Sequence, residues 1–161
     1  MTTSFPPSPV ALLEARRLAQ AKAEGFALFA IKPDGDVPGF VYSVGLTQHD
    51  LHEVIYFYPE GCVGQALTDM RYICSKMIAG SERLGRITTL RLIVHGPALA
   101  GPSGQSIRFG MLTGDSFIYA LKNFLTRTLL FRNELGMPRG VLIAQRADVP
   151  TFGEIRDIQD S

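Results

Sequence analysis

The chain has 161 residues, 46% of them hydrophobic and 19% charged, with a formal net charge of +1. That length and composition suit one folded domain with a substantial core and exclude a disordered chain. The near-neutral balance argues against a generic binder of nucleic acid or of anionic membranes, while leaving room for a local basic patch.

In chain order, residues 1–8 are rich in Thr, Ser and Pro and read as a flexible segment. Ser8 suits a helix N-cap and Pro9 the first helical turn. Leu12, Ala15 and Ala19 then keep one helical face, and Gly25 is the expected stop. "FALFAI" (26–31) and "FVYSVGL" (40–46) read as strands joined by the turn-forming "KPDGDVPG". "EVIYFY" (53–58), rich in β-branched and aromatic residues, is a third strand. The clearest helix follows, with Val63, Ala66, Leu67, Met70, Ile73, Cys74, Met77 and Ile78 inward, Asp69 on the polar side and Gly80 as its end. "TTLRLIVHG" (88–96) reads as a strand, and the Gly- and Pro-dense 96–114 as loops around a short strand near 107–109. A further helix is expected from an Asp115 cap to Gly136, then a last strand, "GVLIAQ" (140–145), and a peripheral tail. The expected fold is α+β, a mainly antiparallel sheet of about five strands with two or three packed helices. Its expected bounds are residues 9–153, with 154–161 as a C-terminal tail.

Cys62 and Cys74 form no C-x-x-C pair, so reduced thiols in the cytoplasm are the expectation. The start has no basic region followed by an apolar core, and no apolar run approaches the roughly 20 residues of a membrane span. The glycines of "GSERLGR" and "GPSGQS" lack the Lys-Ser/Thr of a phosphate loop, and no G-x-G-x-x-G or G-x-S-x-G occurs. Arg83, Arg86 and Arg91 form a modest basic run that reads as a solvated face. No cofactor is implied.

The stretch "FVYSVGLTQHDLHE" (40–53) carries the candidate chemistry. Alternation puts Phe40, Tyr42, Val44 and Leu46 on one face of the strand and Val41, Ser43 and Gly45 on the other. The second face becomes small toward its end, where a glycine marks close approach by another backbone or by a ligand. Tyr42, Ser43, Gly45 and Gln145 are therefore the candidate ligand-binding residues. His49, His52, Glu53 and Asp148 are the candidate acids and bases, although His52 and Glu53 would face opposite sides of a strand. The His-x-x-His spacing without an H-E-x-x-H helix does not amount to a metal site. Glu53 opens a strand that otherwise reads as buried, so it needs hydrogen bonds, and backbone N–H groups at the Ser43–Leu46 strand end are the expected donors. Tyr56 and Tyr58 alternate with Phe57, and an exposed aromatic face there would serve a protein interface or a dimer.

These residues resemble a bacterial family of small domains of unknown function. Its members carry an aromatic-x-Tyr-Thr/Ser-x-Gly-Leu strand, a short polar loop, and His/Leu-Pro-Glu leading into an apolar strand. Phe40, Tyr42, Ser43, Gly45 and Leu46 match the first part, and Leu51, His52 and Glu53 the second, with His52 standing where the family has Pro. Gly25-Phe26 and "GVLIAQRADVPTF", with Asp148 and Phe152, extend the likeness over most of residues 9–153, although this chain has no Trp. The resemblance implies a shared fold and no known reaction.

Three functions are compatible with these features. One is a non-enzymatic binding module for a protein, a second copy or a small ligand. Another is a small hydrolase or transferase using His49 or His52 with Glu53 or Asp148. The third is a mobile-element accessory or inhibitory protein that blocks its target sterically.

Overall fold

The structure is a computed structural model and describes residues 6–161. Its centre is a six-stranded sheet with strand order β1-β2-β3-β6-β5-β4. The strands are β1 (Ala27–Ile31), β2 (Gly39–Val44), β3 (Glu53–Tyr58), β4 (Leu99–Ala100), β5 (Ser106–Leu112) and β6 (Val141–Gln145). All neighbours run antiparallel except β3 and β6, which pair in parallel from Glu53–Val141 to Tyr56–Ala144. The sheet is thus mixed rather than wholly antiparallel. The parallel pair arises because the chain leaves β3, builds two helices, the β4–β5 hairpin and three more helices, and returns to the middle of the sheet.

Both faces of the central strands are covered. Every residue of β2 and β3 is buried, so their near-continuous apolar runs reflect helices on both sides. On one face, Tyr42, Ile55 and Phe57 pack with residues of α4 (Gly114–Asn123) and α7 (Phe152–Asp160). Phe124 sits edge-on to Phe40 and Phe57 at 5.2 and 5.4 Å between ring centres, a geometry that adds about 0.5–1.5 kcal/mol per pair beyond area burial. On the other face, Val41, Val54 and Tyr56 pack against α2 (Val63–Leu84), with α3 (Arg86–His95) beside it.

Several elements differ from the sequence reading. Residues 86–95 form α3, not a strand: Thr89, Leu90, Ile93 and Val94 turn inward at helical spacing, and tertiary packing overrides the strand preference of β-branched Thr89, Ile93 and Val94. α2 runs through Gly80 to Leu84, and the bare Cα at Gly80 lets Thr89 approach; an added Cβ would stand 3.1 Å from its hydroxyl. The expected helix over 115–136 breaks into α4, α5 (Thr126–Leu130) and α6 (Arg132–Leu135), with Phe124 and Leu125 leaving the helical path as both enter the core. The segment after Phe152 is α7 rather than a peripheral tail, and Ile155 is fully buried. α1 (Pro9–Glu24) has the expected Ser8 and Gly25 caps, but it turns Leu18 and Ala21 inward and leaves Leu12 in solvent. Of the expected flexible segment, residues 1–5 lie outside the described residues. No described helix is long and apolar enough to cross a membrane.

Candidate functional site

The 40–53 stretch folds back on itself. Gly45 adopts φ +105°, which only glycine takes readily, and turns the chain from β2 into a single 3-10 turn, Leu46–His49. Such a turn exposes unpaired N–H groups at its start. Glu53, fully buried, supplies the acceptors. Its Oε1 takes bonds from the Ser43 hydroxyl (2.8 Å) and Leu46 N–H (3.2 Å). Its Oε2 takes bonds from Thr47 N–H (3.0 Å) and the Thr47 hydroxyl (2.6 Å). Burial pushes the Glu53 carboxyl pKa up, and the bonds from Thr47, Ser43 and Leu46 pull it part of the way back.

The same turn closes the end of α1. Gln48 Nε2 donates to the carbonyls of Ala21 and Gly45, both at 3.1 Å, and His49 Nε2 lies 3.1 Å from the Gly25 carbonyl. The space beside Gly45 is filled by α1: an added Cβ would stand 3.1 Å from the Ala21 Cβ and from the Gly25 carbonyl oxygen. Close approach at Gly45 is therefore by protein. Tyr42 and Ser43 are also committed inward, since the Tyr42 hydroxyl accepts from Arg127 N–H and the Ser43 carbonyl from the Thr128 hydroxyl.

The four candidate acids and bases do not converge, and no hydrogen bond joins any two of them. Asp148 binds Arg146 through both carboxylate oxygens, at 2.9 and 2.7 Å, and that cation holds its pKa below the usual carboxylate range. His52 packs over Gly140, where an added Cβ would meet the ring at 2.6 Å. Its Nδ1 is buried without a partner, and burial and the Arg86 charge both lower its pKa. Gln145 donates to the Pro150 carbonyl and so ties the turn between β6 and α7.

Tyr56 and Tyr58 do not form an exposed aromatic face. Both are buried, because the strand face expected to meet solvent lies beneath α2. Tyr58 lies across Gly39 and donates to the Ile31 carbonyl, while Tyr56 donates to Asp69. Asp69, expected on the polar side of its helix, is fully buried: Ser103 donates to it through its N–H (3.0 Å) and its hydroxyl (2.6 Å). Arg146 Nη1 is a buried donor without a partner. Among the described residues, no three His, Cys, Asp or Glu side chains gather to hold a metal.

The open surface lies elsewhere. α2, α3 and the β4–β5 hairpin enclose two adjoining clefts. One, of about 270 Å³, is bounded by Ile73, Leu92, Ile93, Leu99 and Phe109. The second, of about 250 Å³, lies between Ala79, Arg83 and Leu84 of α2 and Leu92 and Ile93 of α3. Lys76, Leu92 and Ile93 line both, so the clefts form one groove. Leu84 and Leu92 on this side are 44% and 57% exposed. A cavity of about 330 Å³ near β1 differs: Lys32 and Glu60 give it both charge signs, and Val63 is its sole large apolar residue so exposed. The sequence reading missed the groove because it placed residues 88–96 in the sheet. Apolar residues at 87, 90, 92, 93 and 94, more than one helical face can bury, were the available signal.

No family model, no curated protein and no solved structure matches the chain.

Proposed function

We propose that this protein is a non-enzymatic binding module and that it binds through the groove of α2, α3 and the β4–β5 hairpin. The observation that carries this reading is the pair of continuous apolar clefts flanked by exposed Leu84 and Leu92. The engaged state of Ser43, Gln48, His49, Glu53 and Asp148 supports it from the other side, since each is occupied in holding backbone or a neighbouring side chain. Membership of the small bacterial family with the Tyr-Ser-x-Gly-Leu strand belongs to the same reading, as does a cytoplasmic location. A mobile-element protein that blocks its target sterically is one form of it.

An apolar fluorescent dye tests the surface directly. Wild type is expected to enhance dye emission, Leu92→Asp to lose most of that enhancement, and His49→Ala to keep it. Equal emission from wild type and Leu92→Asp would remove the groove as the binding surface.

A further inference from the structure

The overall charge of +1 hides an asymmetry. Between Glu82 and Asp115 the chain carries Arg83, Arg86, Arg91 and Arg108 and no acidic residue. This segment supplies α3 and the β4–β5 hairpin, which form much of the groove. The charged residues of the groove lining are Lys76 and Arg83, both basic, and no Asp or Glu lines it. On α2 the lining runs from Ile73 to Leu84, about 16 Å at roughly 1.5 Å per residue, or three helical turns.

Resting on the groove reading above, we infer that the occupant is an acidic amphipathic helix of a protein partner. It sets apolar side chains into the two clefts and carboxylates against Lys76 and Arg83. Helix-in-groove recognition uses anchors at i, i+3 or i+4, and i+7, and three turns accommodate that spacing. The charge complementarity argues against a second copy: a two-fold contact would set this face, whose lining charges are all basic, against its own copy. The concave shape argues against a lipid surface, which suits a protruding apolar face with basic flanks. The clefts open along their length and leave Leu92 half in water, unlike an enclosed small-molecule site.

The test is selection from a display library of randomised peptides of about 14 residues, long enough for three to four helical turns, against the purified protein. Selected sequences are expected to be net acidic, with apolar residues at helical spacing. Their affinity is expected to fall at least about ten-fold for Leu92→Asp and for the double variant Lys76→Glu/Arg83→Glu, as for a hot-spot anchor and a desolvated charge. Selection against the double variant is expected to turn toward basic sequences. All three substitutions lie outside the cores, and a thermal melt of each variant checks the fold. Selected peptides that need Leu92 but are neutral or basic would overturn the acidic partner and leave the groove standing. Peptides indifferent to Leu92→Asp would overturn both. Sedimentation with phosphatidylglycerol vesicles that requires Leu92 and Arg83, with no peptide enriched, would overturn the protein partner in favour of an anionic membrane.

Discussion

Residues 40–53 are crowded with polar side chains, and nearly all of them are occupied in holding the chain's own backbone. The α2–α3 face carries apolar side chains, and several of them stand in water. The first region attracts attention in the sequence because an acid at the start of a buried strand is costly and hence uncommon. The second is inconspicuous there, because exposed leucines are ordinary one at a time. The structure reverses the two. Glu53 holds a turn, whereas Leu92 and its neighbours flank a groove that no described residue fills.

The comparison breaks most visibly at Glu53. Glu53→Gln puts an amide N–H₂ where one of two carboxylate oxygens now accepts, leaving buried donors facing each other. A loss of about 2–3 kcal/mol is expected in urea denaturation, within the range for unsatisfied buried polar groups. The sign of its pH dependence follows from the raised pKa. A group with a raised folded pKa gives its full contribution below the unfolded pKa and loses it as pH rises through the folded value. Gln does not titrate, so the stability gap between wild type and Glu53→Gln is expected to narrow from about pH 4 upward, past the ordinary carboxyl pKa. A gap that widens with pH would mean that the four bonds outweigh burial.

That brace was legible in the sequence. An acid at the start of a buried strand needs donors, and the strand end seven residues earlier offered them. The role of "TQH" was not legible, since nothing local says that Gln48 and His49 reach the last carbonyls of a helix more than twenty residues away. α3 was misread for a related reason. Its apolar residues cover both sides of the helix, one against the core and one toward the groove, so neither a helical stripe nor a polar face appears. Asp69 was misplaced because its burial depends on a loop 34 residues further on, where Gly101 and Ser103 close over the carboxylate, and Tyr56 because α2 covers its strand face.

Smaller effects sharpen the contrast. Gly45→Ala combines a positive φ with crowding against Ala21 and is expected to cost about 1–3 kcal/mol, read as a lower urea midpoint. Gln48→Ala removes the bonds to the Ala21 and Gly45 carbonyls and is expected to cost about 1 kcal/mol, with faster amide exchange in the last turn of α1. Leu92→Asp, on the exposed side of α3, is expected to change stability by no more than about 0.5 kcal/mol. If Leu92→Asp unfolded the protein while Gln48→Ala did not, the division into a structural and a binding region would be wrong.

The central claim is that recognition occurs on the α2–α3 face and spares the 40–53 turn. Its most direct test is two-dimensional amide NMR of the full chain during titration with a selected acidic peptide. The account predicts shift changes concentrated between Ile73 and Phe109, with the amides of Ser43 to Glu53 unmoved. Changes centred on His49, His52 and Glu53, with α3 silent, would contradict it.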